Sequence, residues 1–563
     1  MKYVIIGAVA GGASTAARLR RNDEHAEIVI FEKGEYISYA NCGLPYYIGN
    51  VITNRNALFV QTAASFNKRF HIDVRTLIEV TAINRTAKTV TARNQITGEV
   101  YEETYDKLVL SPGAEPVRPA LPGITNKGIF TLRNVVDTDV IKSYVQQENV
   151  KKAVVIGAGF IGLEMVENLH LLGLDVTVVE MANQILPPVD FPIAAILQEH
   201  IRSKGVHLHL NEAVSGFEQS EAGLKVLLNN GNELEADVVI LSIGVKPDTK
   251  LALEAGLKIG DAKGIYVNEY LQTSDPDIYA VGDAIEFKNP VTNKSMITYL
   301  AGPANKQGRI CADNLVFGPS KQYKGSINTA IVRVFDMTVA TAGMSSKQLE
   351  ASTIKHQVST VTGGSHAGYY PGSKQMTIQI AFSPEDGRLL GAQIAGYEGV
   401  DKRMDIFSLV IKRNGTIDDL TEFEHAYAPP FSSAKDPVNM AAFAAENILQ
   451  KRSMIFYWNE FDQLTPDDVL IDVRTKNEYS AGKIGDALNI PVDELRSRLT
   501  EIPRDKRIFI YCLGGLRGYL AQRILTQHGF TSTLNLSGGY QLWNTCTREK
   551  ALNQKKQVEF ETV

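Results

Sequence analysis

The stretch from Lys151 to Glu180 leaves the chain few ways to fold. Lys151-Lys-Ala-Val-Val-Ile156 is a short apolar run. It enters Gly157-Ala-Gly159-Phe-Ile-Gly162, a helical segment continues to Gly173, and Asp175-Val-Thr-Val-Val-Glu180 follows. A buried strand, a glycine turn, a helix and a second strand ending in an acid make one half of a doubly wound parallel sheet. Gly157, Gly159 and Gly162 let the backbone approach a pyrophosphate, whose charge the helix N-terminus favours. Glu180 stands where a carboxylate takes ribose hydroxyls, and Met181, Ala182 and Asn183 bring no Lys or Arg for a 2′-phosphate. NADH is therefore predicted over NADPH.

The same grammar occurs at the start of the chain. Tyr3-Val-Ile-Ile6 leads into Gly7-Ala-Val-Ala-Gly11-Gly12, then a helical run to Asn22 and a strand from Ala26 to Glu32, with Lys33 next. Glu32 falls 25 positions after Gly7, and Val9 replaces the middle glycine of the usual pattern. After an alternating, antiparallel-looking region from Asp73 to Glu102, Tyr105–Ala114 returns to the sheet through Gly113. Thr273–Ala284 returns again and ends in Gly282-Asp283, an acid placed to approach the ribityl chain of a flavin. The first dinucleotide domain is thus predicted over 1–148 and 263–322, interrupted by the second over 149–262. Two nested nucleotide folds imply hydride passing from a nicotinamide to a flavin.

Between them lies Tyr36-Ile-Ser-Tyr-Ala-Asn-Cys42-Gly-Leu-Pro45. Cys42 has no second cysteine nearby: the four cysteines stand at 42, 311, 512 and 546. Such scatter gives neither a disulfide framework nor a zinc site and fits a reducing cytoplasm. Cys42 reads as a nucleophile that cycles between thiolate and mixed disulfide beside the flavin. Cys311 reads as core. The net charge of −5 argues against a general nucleic-acid binder. Neither a signal peptide nor an apolar run of membrane-spanning length is expected.

From these residues the chain resembles the flavin-dependent disulfide reductases, in the branch with a single active-site cysteine that includes coenzyme A-disulfide reductase, NADH oxidase and NADH peroxidase. The resemblance covers about residues 1 to 448. It is closest to coenzyme A-disulfide reductase through Gly7–Gly12 and Ser38-Tyr-Ala-Asn-Cys42. Peroxidase and oxidase relatives carry a histidine in the first glycine loop, where this chain has Ala8-Val9-Ala10. The resemblance implies FAD and NADH as cofactors, a homodimer, and an α+β dimerisation domain over 323–448 that places residues in the partner's active site. It implies Tyr427 and Tyr369 as phenols serving Cys42, with Tyr370 beside Tyr369 and His425 beside Tyr427 as alternatives. It further implies coenzyme A contacts from Ser38, Asn41, Arg21, Asn305 and Lys435. Ser14 and Arg18 occupy family contact positions with changed side chains. A lysine that the family carries near Phe70 is absent, with Lys68 and Arg69 adjacent.

A new texture begins after Leu449. Asp468-Val-Leu-Ile-Asp-Val-Arg474 and Arg507-Ile-Phe-Ile-Tyr-Cys512 are buried strands. Cys512-Leu-Gly-Gly-Leu-Arg517-Gly518 is a short loop opening a helix, where backbone N–H groups and Arg517 would favour a thiolate. With Gly538-Gly539-Tyr and Trp543, the region 455–548 resembles an α/β rhodanese domain, which implies sulfane sulfur carried on Cys512. Cys546 could resolve it, and Thr547 to Val563 reads as a polar, unstructured tail (549–563). The expected fold class is α/β. The expected activity is NADH-dependent reduction of coenzyme A persulfide or polysulfide with release of sulfide. The alternatives are reduction of coenzyme A disulfide for thiol poise, and a sulfur carrier or redox sensor with little turnover.

Overall fold

A computed structural model of the chain describes residues 1–220 and 223–558. They form two compact units. One comprises residues 1–179 and 212–328; the other comprises 180–211 and 329 onward.

The first unit holds two parallel sheets. In one, the strands run in the order Ile278–Ala280, Lys107–Leu110, Lys2–Ile6, Glu27–Glu32 and Asp73–Thr76. Their side chains Val4, Ile5, Ile28, Ile30, Leu108 and Val109 are almost wholly shielded from water. Near-continuous Val, Ile and Leu is what a sheet covered on both faces requires. In the other, Ile129–Phe130, Val238–Leu241, Lys152–Ile156 and Asp175–Glu180 lie side by side. The alternating region divides: Asp73–Thr76 joins the first parallel sheet, while Ile78–Asn84, Thr89–Asn94 and Val100–Thr104 form a separate antiparallel sheet. Cys311 is buried in the core behind the first sheet, on the helix Ala301–Phe317.

The second unit holds an antiparallel sheet in the order Ala330–Val334, Met337–Gly343, Leu389–Gly396, Gln375–Phe382 and Gln357–Gly364. The helices Val400–Lys412 and Pro437–Leu449 pack on it. The same unit contains a parallel sheet ordered Ile455–Phe456, Thr533–Leu536, Ile508–Tyr511, Val469–Asp472 and Leu488–Asn489. The two sheets are joined by specific bonds. Tyr457 donates its hydroxyl to the Val358 carbonyl at 3.1 Å, and the Thr360 amide donates to Ser537 Oγ at 3.2 Å.

The tail expected from Thr547 onward is instead helical to Val558, as the end of a helix that starts at Gly539; residues 559–563 lie outside the described residues. The reason is docking. Glu549 is buried and accepts from Gln198 Nε2 at 2.9 Å and Arg202 Nε at 3.3 Å, while Asn553 donates to the Asn183 carbonyl at 3.0 Å. Polar composition concealed a helix whose polar groups find partners on the helix Phe191–Ser203 and on the segment before it. Cys546, on the same face, is packed against Leu542 and Ala195; burial pushes its thiol up, so it is poorly suited to attack a persulfide.

Candidate active site

The first glycine turn and the loop bearing Cys42 face one cavity of about 580 Å³, lined among others by Gly7, Gly11, Glu32, Cys42, Arg133 and Asp283. Gly7 has φ +95°, and a Cβ on Gly12 would lie 1.8 Å from the Gly7 carbonyl oxygen. The turn therefore closes despite Val9, because its tight positions keep their glycines. Glu32, at the end of its strand, accepts from the Ala8 amide at 2.9 Å and the Gly34 amide at 2.7 Å. Lys33 lines the cavity and meets Glu115 at 2.8 Å. Gly113 and Gly282 both have positive φ, and the Gly282 amide donates to Gln307 Oε1 at 2.7 Å, which fixes the strand end before Asp283.

Cys42 sits in a single 3₁₀ turn, Asn41–Gly43, that feeds the helix Leu44–Ile48. The loop is held against the glycine turn by the Ser38 amide, which donates to the Ala8 carbonyl at 2.8 Å. Ser38 itself is left-handed, at φ 45°. Burial, then the charges of Glu164 and Asp283, push the Cys42 thiol up. Those two acids are themselves shifted. Burial raises Glu164 to about 7, although Tyr46 donates to it at 3.5 Å, and raises Asp283 to about 6 against the opposing charge of Arg133. Glu164, Tyr46 and Arg133 were not singled out from sequence. Glu164 had a signal: it lies two residues after Gly162, on the helix Phe160–Leu171 that opens from the second glycine turn.

The cavity suits a flavin dinucleotide. Arg133 Nε is buried without a hydrogen-bond partner and lies beside Gly113, where a Cβ would come within 2.7 Å of its Nη2. An unmet cationic donor at a glycine-lined cavity fits a pyrophosphate. The second turn is built alike: a Cβ on Gly162 would be 2.1 Å from the Gly157 carbonyl, whereas one on Gly159 would face open space. Glu180 accepts from the Ala182 amide at 2.9 Å.

The expected coenzyme A contacts divide between the units. In the first, Arg21, Asn41 and Asn305 are exposed, and Ser14 donates to Asn305 Oδ1 at 2.5 Å. Arg18 is committed to Asp313 at 2.6 Å, which offsets its charge. Arg20, between Arg18 and Arg21 in the chain, is buried and donates to the Phe70 and His71 carbonyls, so it caps the end of the helix Ala63–Phe70. In the second unit Lys435 is exposed. Tyr369 and Tyr427 are also exposed, and their hydroxyls hydrogen-bond each other at 2.9 Å.

In the parallel sheet of the second unit, Ile508–Tyr511 delivers Cys512 to the loop, and the Gly515 amide donates to Cys512 Sγ at 3.1 Å. Arg517 is not free. It makes a two-pronged pair with Glu478 at 2.7 and 2.6 Å, and holds that carboxyl down to about 2. Glu478 in turn accepts from the Thr475 amide and hydroxyl. The loop expected to reach Gly518 ends at Gly515, and Arg517 lies in the first turn of the helix Leu516–Gln527; its partner Glu478, 39 residues away in the chain, was not singled out from sequence.

Residues 1–308 match the family model of pyridine nucleotide-disulphide oxidoreductases, and 329–437 match the dimerisation domain of the same family. The chain belongs to this family. Residues 457–546 match the rhodanese-like domain. As a family member the chain is an oxidoreductase that uses FAD and NAD(H), and its architecture is the expected one of nested dinucleotide domains, dimerisation domain and rhodanese domain. The chain is 49% identical to the reduced CoADR-RHD of Bacillus anthracis, with 98% of each chain covered and a TM-score of 0.95. It is 38% identical to an NAD-dependent persulfide reductase from A. fulgidus, covering 96% of this chain and all of the other, with a TM-score of 0.91. It is also 38% identical over 447 residues to the coenzyme A disulfide reductase of Staphylococcus haemolyticus, covering 79% of this chain and all of that one. Among the described residues, no helix is long and apolar enough to cross a membrane.

Proposed function

We propose that the chain works as a cytoplasmic homodimer that reduces coenzyme A persulfide, or a related polysulfide, with NADH and releases sulfide. One observation carries the reading: a lone cysteine, Cys42, lines the dinucleotide cavity in a chain that also holds a second loop cysteine, Cys512, bonded by a backbone amide. When bound, FAD relays the electron pair of NADH to Cys42.

Cys42 thiolate attacks the coenzyme A-bound sulfur of the persulfide. A Cys42–coenzyme A disulfide forms, the terminal S–S bond breaks and HS⁻ leaves. Two electrons and one proton then return Cys42 to thiolate and release coenzyme A thiol. The net reaction is NADH, a proton and the persulfide giving NAD⁺, coenzyme A and H₂S. A stabilised leaving group makes the first step favourable. Tyr369 and Tyr427 serve the partner's Cys42, protonating or hydrogen-bonding the departing thiolate. Ser14, Arg18, Arg21, Ser38, Asn41, Asn305 and Lys435 hold the coenzyme A, whose phosphates the cations suit. Gly7, Gly11, Gly12, Glu32, Lys33, Gly113, Gly282 and Asp283 hold the flavin nucleotide; Gly157, Gly159, Gly162 and Glu180 hold NADH. Cys512 carries sulfane sulfur, with Arg517 shaping its loop. A second reading, reduction of coenzyme A disulfide, uses the same Cys42 chemistry and leaves the rhodanese domain without a task.

The test is anaerobic NADH oxidation with coenzyme A persulfide and coenzyme A disulfide in separate runs, with sulfide followed in parallel. A preference for the persulfide of about ten-fold or more in kcat/KM, ~1.4 kcal/mol of transition-state discrimination, supports the proposal. A preference for the disulfide makes the protein a thiol-poise enzyme. Slow turnover with both makes it a carrier.

A further inference from the structure

Tyr369 and Tyr427 ride on separate loops, residues 365–373 and 425–436, and beneath both lies one side chain that no water reaches. Arg403, on the helix Val400–Lys412, is 0% exposed. Its Nε and Nη2 meet the two carboxylate oxygens of Asp436 at 3.1 and 2.8 Å. Nη2 also donates to the Ser365 carbonyl at 2.9 Å, and Nη1 to the Gly399 carbonyl at 3.0 Å. Asp436 accepts from Ser432 Oγ and from the Val438 amide. The loops are bonded to each other as well, because the Ala367 amide donates to the Ser432 carbonyl at 3.0 Å. Next along the helix, Lys402 donates to the Phe431 carbonyl at 2.6 Å.

A buried ion pair is a weak source of stability, since well-packed apolar residues of similar volume often replace it without loss. What the fork of a guanidinium supplies is geometry: several acceptors are fixed at once, at set angles, which the point charge of a lysine cannot do. Here the acceptors belong to the two loops that carry the phenols. Asp436 also directly follows Lys435.

We infer that Arg403 and Asp436 are positioning residues that set the spacing of the Tyr369 and Tyr427 hydroxyls, and the place of Lys435, for the reaction at the partner's Cys42. The inference rests on the reading that these phenols serve Cys42.

The experiment uses the full-length, flavin-loaded enzyme with NADH and coenzyme A disulfide. It compares Arg403→Lys, the pair Tyr369→Phe/Tyr427→Phe, and the combination of all three. Arg403→Lys is expected to lower kcat roughly ten- to 100-fold, the scale of a small misplacement of reacting groups. The KM for NADH and the rate of flavin reduction by NADH should stay at the wild-type values. On the Tyr369→Phe/Tyr427→Phe background, Arg403→Lys should lower kcat no further, because the phenols it positions are gone, and any remaining effect should fall on the KM for coenzyme A disulfide, through Lys435. If the two losses multiply, or if flavin reduction slows equally, Arg403 is a general structural residue and the inference is overturned. If the tyrosine pair is impaired while Arg403→Lys turns over normally, the inference fails and the tyrosine reading stands. If the tyrosine pair turns over normally, that reading fails and takes the inference with it. Should Arg403→Lys not fold, Arg403→Met/Asp436→Leu replaces the pair with apolar packing and is judged by the same outcomes.

Discussion

The hydroxyls of Tyr369 and Tyr427 lie 2.9 Å apart although 58 positions separate them in the chain. Each phenol is exposed, and the hydrogen bond to Tyr427 raises Tyr369 above the usual phenol range. A phenol that keeps its proton to higher pH remains a donor to a leaving thiolate over a wider range. Tyr427→Phe removes that bond, so the alkaline limb of kcat should move to lower pH. Loss of a proton donor should lower the plateau by roughly 100-fold, at the low end for a positioned acid. A pH–rate profile from pH 7 upward with coenzyme A disulfide checks both. An unmoved limb would show that the hydrogen bond to Tyr427 does not set the ionisation of Tyr369.

Much of this architecture was legible because it is written in local pattern. Both glycine turns, the acids Glu32 and Glu180 and the strands before them are consecutive in sequence, and their geometry follows from sterics. Cys42 stood out as a lone cysteine between the two nucleotide folds, and Cys512 as the end of a predicted strand before a short glycine loop. What escaped were partners brought in by tertiary packing. Glu478 neutralises Arg517 from the short helix Lys476–Ser480, Asp313 holds Arg18 from a distant helix, and Arg403 clamps two loops at once. No spacing rule links those residues. The C-terminal helix was misread for the same reason: its polar side chains looked solvated, and only the facing helix shows that Glu549 is buried.

Glu164 should tune Cys42. Burial is the main cause of the raised thiol, and the Glu164 carboxylate is the next. Glu164 itself loses its proton near 7, so above that pH its charge opposes the thiolate. Glu164→Gln removes the charge and keeps the shape. The thiol should then ionise at lower pH, and alkylation of the NADH-reduced enzyme by iodoacetamide should be several-fold faster at pH 8 than in wild type, with a smaller difference at pH 6, where Glu164 is mostly protonated. Equal rates at both values would remove Glu164 from any role at the thiol.

Cys512→Ser separates the two cysteines. If Cys512 loads sulfur for Cys42, this variant should keep full turnover with coenzyme A disulfide and coenzyme A persulfide, which Cys42 meets directly, and lose it with donors that must first transfer sulfur. Cys42→Ser should abolish turnover with all of them. Glu478→Gln should resemble a partial Cys512 defect, because it releases Arg517 from its fork and alters the loop. Parallel sulfide and NADH assays across the donor set give the answer. A loss with coenzyme A disulfide in Cys512→Ser would mean the rhodanese loop supports the reductase site structurally.

The docking of the C-terminal helix turns on Glu549. Its side chain is 4% exposed and accepts from both Gln198 and Arg202. Glu549→Ala leaves an amide and a guanidinium without their acceptor, and a buried donor deprived of its partner costs about 1–3 kcal/mol. That cost falls on the docked helix, whose other polar ties to the helix Phe191–Ser203, among the described residues, include Thr545 and Arg548 to Glu199 at 2.9 and 3.0 Å, the second of these exposed. Amide exchange in the helix from about residue 545 to 558 should therefore accelerate by roughly five- to 150-fold, the range set by the same 1–3 kcal/mol. Exchange in the strands Ile508–Tyr511 and Val469–Asp472 should stay slow. If the whole rhodanese-like sheet exchanges faster together with the helix, the helix belongs to the cooperative core of that domain, and Glu549 stabilises the domain as a whole.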